Sequence, residues 1–363
     1  MASRFLLGIA IFMFVANHGY SADPTAYEPV SADNLKVAQT LLGLVHTVEV
    51  QKELGVNDTN RRAFETGLRE IDAQWWPSRL MDIEPRRKLV SDLEKRLDSH
   101  IQQVLGQAAV RRLHQIEYQS QGIRVLARPE IAKRLQFDEK QNRRLNALFA
   151  ETDRLAAEID TRKPDEAKQK AVQKARSNET KLVQDMMSNA QLQTLKDILG
   201  QKIELATMER IYPLAPELVT SRHDYGGGPV ELEKLRGKVV LIHFYAFQCH
   251  NCVANFNHYK RWSETLRNRG VEVIGIQTPE TSSERDPQKV TAAAKREGFS
   301  FPVIMDLENK NWNAWGNTMW PTVYVVDKNG YIRMWWQGEL NWDGATGDRK
   351  IEELVDRLLK EAE

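Results

Sequence analysis

The chain has 363 residues, more than one domain of about 100 to 200 residues needs, so we expect two or three compact units. Its 41% hydrophobic and 28% charged residues are typical of globular proteins and argue against collagen-like, mucin-like or wholly disordered chains. The 51 Lys and Arg residues nearly cancel the 50 Asp and Glu residues, and the net charge of +1 provides no basic field that would favour nucleic acid. Two cysteines are too few for a disulfide scaffold, so we expect them to act locally.

The first 22 residues have the layout of a secretory signal peptide. Arg4 precedes an apolar run from Phe5 to Val15, and the polar stretch that follows ends in small residues at Ser21 and Ala22. The apolar run is shorter than the about 20 residues that span a membrane, although an uncleaved membrane anchor is the alternative. We therefore predict that the protein works outside the cytoplasm, in a periplasm, where disulfide chemistry is permitted.

Residues 23–206 are predicted to form an all-helical domain. Apolar residues recur there at helical spacing, as at Leu145, Phe149, Leu155 and Ile159. Glycines and capping residues divide the region into six to eight expected helices. The expected helix ends are Gly55, Gly106 and Gly200, and the expected N-caps are Asn57, Asp138 and Ser188.

A short pattern occurs three times in this helical region. Segments beginning at Leu54, Leu135 and Met187 each carry an apolar residue, a capping residue, and then Asn or Gln in the first turn. The pattern resembles the Leu-Thr-x-x-Gln repeats of small periplasmic helical proteins of the Spy and CpxP type. The alternative interpretation is that any capped helix with a polar first turn looks alike. Charged helical surfaces of this kind would suit self-association or the binding of partner helices.

The pattern changes after a predicted linker and entry turn at 207–230, and residues 231–363 are predicted to form an α/β domain. Prolines and the Gly-Gly-Gly-Pro cluster at 226–229 mark the turn. Alternating strands and helices predict a sheet with parallel pairing at its centre and a closing hairpin around 327–330. The strand-like runs cover 238–247, 271–276, 323–326 and 332–336, and the helical patterns cover 253–269, 288–298 and 351–363.

Both cysteines belong to one motif, Cys249-His250-Asn251-Cys252, which follows a predicted strand and precedes a predicted helix. Half of a zinc site is one interpretation, but zinc would need two further ligands and no second cysteine pair exists. Redox chemistry fits the position better. A sulfur at a helix N-terminus is stabilised as thiolate by the helix dipole and free N–H groups, which lowers the cysteine pKa from about 8.5 toward about 3.5 to 7.5.

Three ordered segments extend this observation to a family resemblance. They read GKVVLIHFYAFQCHNC at 237–252, GVEVIGIQTPE at 270–280 and WGNTMWPTVYVVDKNG at 315–330. Together they resemble extracytoplasmic thioredoxins of the TlpA, ResA and DipZ type, and the DipZ-like branch most of all. The resemblance covers about 213–363 and implies a thioredoxin-like α/β fold. The helical half lies outside it.

The resemblance implies a role for particular residues. Cys249 would be the attacking sulfur and Cys252 the resolving one, with no prosthetic group beyond this redox-active pair. Pro321 matches the family's cis-proline, and Trp320 and Thr322 would flank the sulfurs. The partners implied are protein thiols or disulfides and an upstream redox donor or acceptor.

The sequence departs from the thioredoxin pattern at several positions near the motif. His243 replaces the buried acid that usually lies six residues before the first cysteine, and it is a candidate proton acceptor for Cys252 or, equally, a packing residue. Glu280 is a second candidate proton acceptor or an exposed loop carboxylate. Asn251 replaces the usual proline. A His250 cation would stabilise the thiolate and make the site a better oxidant, unless the side chain only faces solvent.

Two other functions compete with a secreted thiol–disulfide oxidoreductase. A peroxiredoxin would carry a threonine three residues before the reactive cysteine, and Ala246 stands there. A helical holdase or scaffold with a vestigial thioredoxin module is the alternative from a different functional class. Loss of disulfide reduction in Cys249→Ser, with any chaperone effect retained, would separate the two.

Overall fold

A computed structural model describes residues 29–32, 35–38, 40–159, 165–205, 208 and 212–361. They divide into two compact units, one within 29–64 and 94–208 and the other within 65–93 and 212–361. The predicted signal peptide at 1–22 lies outside the described residues. Within those residues, no helix combines the length and the apolar character needed to cross a membrane.

The described residues of the amino-terminal half are helical, as the 3.6-residue periodicity predicted, apart from one short antiparallel hairpin. The hairpin pairs β1 (Pro29–Ala32) with β2 (Leu35–Ala38). Six of the helices in the described part of this half are long, and the third and fourth contribute to both units. The helices are α1 (Leu41–Leu44), α2 (Val48–Glu53), α3 (Arg61–Trp75), α4 (Ile83–Leu105), α5 (Gln107–Ser120), α6 (Pro129–Arg134), α7 (Glu139–Ala157), α8 (Glu166–Met186) and α9 (Asn189–Leu199).

Two of the three repeated segments begin helices through complete capping boxes. The Asp138 carboxylate accepts from the Gln141 N–H at 2.7 Å, and the Ser188 hydroxyl accepts from the Gln191 N–H at 3.2 Å. The Gln141 and Gln191 side-chain amides also lie 3.1 Å apart and bond to each other. In these two segments the pattern therefore encodes a helix start, as the capping interpretation predicted, whereas α3 begins at Arg61, four residues after the expected cap Asn57.

The second unit contains a five-stranded sheet. Its strands are β3 (Val239–Tyr245), β4 (Val271–Gln277), β5 (Val303–Met305), β6 (Thr322–Val326) and β7 (Ile332–Gln337), and the helices are α10 (His250–Leu266), α11 (Pro287–Glu297), α12 (Lys310–Ala314) and α13 (Gly347–Lys360). The strand order is β5-β4-β3-β6-β7. β3 pairs in parallel with β4, and β4 with β5, while β3–β6 and the β6–β7 hairpin are antiparallel. The predicted parallel centre and closing hairpin are confirmed, whereas the three-residue β5 and the short α12 had no predicted counterpart.

One face of this sheet buries an aromatic side chain that precedes the sheet by more than 150 residues. Trp76 belongs to the apolar cluster of that face, and its indole N–H donates to the Trp315 carbonyl at 2.9 Å. Its ring packs edge-on against Trp335 with centroids 5.2 Å apart. The Arg79 guanidinium lies 3.7 Å from the Trp76 ring and donates to the carbonyls of Trp315 and Gly316 at 2.9 and 2.7 Å.

The second unit therefore includes a segment that the predicted domain limits assigned elsewhere. Residues 65–93 fall inside the predicted helical domain of 23–206, but they group with the sheet. Helical spacing shows which side of a helix is apolar and leaves open which surface will cover that side.

Candidate active site

Cys249 lies where the central strand turns into a helix. β3 ends at Tyr245, α10 begins at His250, and Cys249 occupies the N-cap position between them. The Cys249 carbonyl accepts from the N–H groups of Cys252 and Val253 at 3.1 and 3.2 Å, which fixes the first turn of α10. The attacking sulfur predicted from the sequence is thus at a helix N-terminus, where the unpaired N–H groups and the dipole favour an anion.

The two sulfurs have opposite electrostatic environments. A hydrogen bond from the Cys252 thiol lowers the pKa of Cys249; partial burial opposes this, and the backbone N–H groups of Cys252 and Asn251 reinforce it. Burial, followed by the bond to Cys249, strongly raises the pKa of Cys252. Cys249 is half-buried and Cys252 is 0% exposed, and both are free thiols. This asymmetry makes the outer sulfur the better candidate for nucleophilic attack and leaves the inner sulfur as its protonated partner.

The Trp320–Pro321 peptide bond is cis, as the resemblance implied. Trp320 packs against the apolar cluster that contains Cys252, as Cys249 also does. The Trp320 ring stacks on Trp312 with centroids 4.1 Å apart, and its N–H donates to the Thr278 carbonyl at 3.2 Å. Trp320 and Cys249 thus pack against the same apolar cluster.

Thr322 is buried at the start of β6, immediately after the cis-proline. Its hydroxyl donates to the Met319 carbonyl at 2.8 Å, so it is engaged within its own loop. The backbone of Pro321 accepts from the Gly338 N–H at 2.8 Å. The Thr322 hydroxyl therefore ties the start of β6 to the loop that precedes it.

His243 lies among aromatic rings. It is stacked on Tyr259 with centroids 3.9 Å apart and an interplanar angle of 13°, and Phe301 meets it edge-on at 5.3 Å. Gly275 makes room for the ring, because a Cβ there would approach His243 Nε2 to 3.1 Å. Neither ring nitrogen has a hydrogen-bond partner among the described residues, and burial lowers the pKa of His243 to about 3. This environment suits a packing residue better than a base.

Glu280, the other predicted proton acceptor, is exposed at the end of the loop after β4. Its charge nevertheless reaches the site, because it raises the pKa of both Cys249 and Cys252. His250 and Asn251 are exposed on the first turn of α10. Asn251 also borders a groove of about 380 Å³, whose other lining residues are Trp336, Gln337, Gly338, Glu339, Trp342 and Ala345.

One residue near the site had no place among the sequence predictions. Glu284 is 0% exposed. Its carboxylate accepts the backbone N–H of Gln248, just before Cys249, and the N–H groups of Glu280 and Thr281 in the loop after β4. The available signal was the spacing Thr281-x-x-Glu284, which forms a capping box in the structure. Such a pattern is usually assigned to helix initiation alone.

The family comparison matches this part of the chain. Residues 213–334 match the model described as the AhpC/TSA family. The second unit carries a thioredoxin-fold domain. The expected resemblance to DipZ and ResA proteins is confirmed by relatives of those names.

Three relatives show the extent of the similarity. The chain is 34% identical to Protein DipZ of Mycobacterium bovis over 48% of this chain and 24% of that protein. It is 28% identical to the thiol-disulfide oxidoreductase YkuV of Bacillus subtilis over 41% of this chain and 95% of that protein. It is 29% identical to the thiol-disulfide oxidoreductase ResA of Geobacillus thermodenitrificans over 33% of this chain and 64% of that protein. The chain thus spans about a quarter of the length of DipZ.

Proposed function

We propose that the protein is a secreted thiol–disulfide oxidoreductase that exchanges electrons with protein disulfides through Cys249-His250-Asn251-Cys252. The observation that carries the proposal is the asymmetry of the pair: Cys249 is accessible with a lowered pKa, and Cys252 is buried beside it with a raised one. The names of YkuV and ResA as thiol-disulfide oxidoreductases support it. The signal-peptide pattern at 1–22 supports secretion into a periplasm.

The reaction needs only the two sulfurs as electron carriers. The Cys249 thiolate attacks one sulfur of a substrate disulfide, the substrate S–S bond breaks, and the leaving sulfur takes a proton from water. Cys252 then loses its proton and attacks Cys249 Sγ, which forms the 249–252 disulfide and releases the second substrate thiol. Two electrons pass from the dithiol to the substrate, and an upstream redox donor of the dithiol class restores the pair. The same steps in reverse oxidise a substrate dithiol.

The second step requires a proton acceptor for Cys252. Moving a proton onto His243 would place an unpaired cation in an aromatic cluster, and the drop of its pKa from 6.5 to about 3 corresponds to about 5 kcal/mol. Glu280 is exposed to solvent, and its charge raises the pKa of both sulfurs. We therefore assign the proton to Glu280, directly or through water, and treat His243 as a packing residue.

The lowered pKa of Cys249 also bears on the direction of electron flow. Stabilising the thiolate stabilises the reduced pair, which makes the 249–252 disulfide a stronger oxidant than it would otherwise be. Its reduction potential in a glutathione buffer tests this. A value near −270 mV, typical of thioredoxin, would indicate a reductant, and one near −120 mV an oxidant.

Alkylation and trapping test the assignment of the sulfurs. At mildly acidic pH, iodoacetamide should label Cys249 before Cys252, because only Cys249 is both accessible and of low pKa. Cys252→Ser should accumulate a mixed disulfide on Cys249 with a disulfide-bonded substrate protein, and Cys249→Ser should form none. Preferential labelling of Cys252, or about one bound zinc per chain in the purified protein, would contradict the proposal.

A further inference from the structure

The carboxylate of Glu284 joins the two loops that border the cysteine pair. Its Oε1 accepts from the N–H of Gln248, the residue before Cys249, at 2.7 Å. Its Oε2 accepts from the N–H groups of Glu280 and Thr281, both at 2.8 Å. Each oxygen thus serves a different loop, and three backbone donors are satisfied by one buried side chain.

A second set of contacts joins the same loops from the solvent side. The Gln248 side-chain oxygen accepts from the hydroxyls of Thr281 and Ser283, each at 2.7 Å. Gln248 therefore takes part in both directions: its backbone N–H donates to Glu284, and its side-chain oxygen accepts from Thr281 and Ser283. Gln248 itself is exposed, so its side chain is not needed to fill the core.

We propose that Glu284 is a positioning residue that holds the cysteine loop against the loop of 278–281. It would keep Cys249 at the N-terminus of α10, with its sulfur near the N–H groups of Asn251 and Cys252, and it would fix the distance between Glu280 and the cysteine pair. The inference rests on the proposed function, because it concerns the reactivity of the same sulfur. Glu284 acts through Gln248 and does not touch the reacting atoms.

A positioning role and a purely electrostatic role of Glu284 predict opposite changes in the pKa of Cys249 when Glu284 is replaced. Removing a negative charge near a thiolate stabilises the thiolate and lowers the thiol's pKa. Releasing the cysteine loop instead weakens the N–H contacts that stabilise the Cys249 thiolate, and so raises the pKa of Cys249. Cys252 and Glu280 are the titratable groups that act on Cys249, so a variant at Glu284 must be compared with one at Glu280.

Glu284→Gln is the discriminating substitution, because an amide of the same size keeps one acceptor oxygen and can serve only one of the two loops. The rate of iodoacetamide labelling of Cys249 is measured from pH 4 to pH 10 in the folded full chain. We expect the midpoint of the profile to rise by about 0.5 to 1 unit, a slowing of about 3- to 10-fold on its acidic side. Glu280→Gln, the matched control, removes the same charge from an exposed position, and its midpoint should fall.

An unchanged or lowered midpoint in folded Glu284→Gln would overturn the proposal and leave Glu284 as a local capping residue. If that variant does not fold, Gln248→Ala decides instead, since it removes only the solvent-side contacts at an exposed position. It should raise the midpoint in the same direction by a smaller amount, and no change would overturn the inference. The wild-type profile separates this test from the proposed function: a Cys249 midpoint at or above about 8.5 would count against the function itself.

Discussion

Replacing His243 with phenylalanine separates a packing role from a catalytic one. Phenylalanine keeps an aromatic ring against Tyr259, where the present centroid distance is 3.9 Å, and removes both nitrogens. A buried polar group without a hydrogen bond costs about 1 to 3 kcal/mol. We therefore expect the free energy of unfolding of the second unit to rise by about 1 to 3 kcal/mol at pH 7, with Gly275 leaving room for the ring.

The pH dependence sharpens this expectation. The folded-state pKa of His243, about 3, is below the ordinary value of 6.5, so the unfolded chain binds the proton first as the pH falls. Above pH 6.5 the titration of His243 therefore leaves the free energy of unfolding of the wild-type protein unchanged. Between pH 6.5 and about pH 3 it lowers that free energy progressively. At pH 5 the loss is about 2 kcal/mol, and the phenylalanine variant avoids it. The advantage of the variant should thus grow between pH 7 and pH 5.

Hydrogen exchange of the β3 peptide across a urea series, at pH 5 and at pH 7, measures the free energy of unfolding of the sheet in the wild-type protein and in the phenylalanine variant. Quenched-flow resolution of a mixed disulfide on Cys249 is measured on the same variant. We expect its rate to stay within about twofold of wild type, whereas loss of a general base typically costs about 10² to 10⁴. Slow resolution together with reduced stability would refute the packing interpretation and would identify His243 as the proton acceptor for Cys252. Glu280→Gln is the parallel variant in which slow resolution is expected.

Two further predictions concern the stability of each unit. Trp76→Ala should destabilise the sheet unit by about 3 to 5 kcal/mol in urea unfolding, since it removes a buried indole. The control Trp342→Ala, at a 69% exposed position, should cost under about 0.5 kcal/mol. Equal effects of the two substitutions would contradict the packing described. Glu94 lies in the helical unit, where burial and then Glu117 raise its pKa to about 7 against the opposing effects of Arg128 and His114. Its ionisation therefore opposes folding increasingly from about pH 4.5 to pH 7, so Glu94→Gln should stabilise that unit by about 3 kcal/mol at pH 8 and by under about 1 kcal/mol at pH 5. The control Glu139→Gln removes an exposed surface pair with Arg143 and should change the stability at pH 8 by under about 0.5 kcal/mol.

Features that depend on a few adjacent residues could be predicted from the sequence. The helix starts at Asp138 and Ser188 follow from cap spacing, because a side-chain oxygen reaches only the N–H groups two or three residues ahead. The long strands of the sheet follow from apolar, β-branched runs bounded by turns. The position of Cys249 at a helix N-terminus follows from its place between such a strand and a helical pattern.

Contacts between groups that lie far apart in the chain follow from the packed fold and not from local sequence patterns. Trp76 lies in a helical pattern that fits either unit, and the sheet face that buries it is built from strands more than 150 residues later. The sequence pattern at His243 fits catalysis and packing equally, whereas in the structure aromatic rings surround it and neither ring nitrogen has a hydrogen-bond partner among the described residues. Glu284 showed only a capping spacing, and its second oxygen's role depends on the cysteine loop that folding brings within 2.7 Å. Periodicity and caps record contacts within one or two turns of chain, whereas burial and pKa depend on neighbours that only the packed fold supplies.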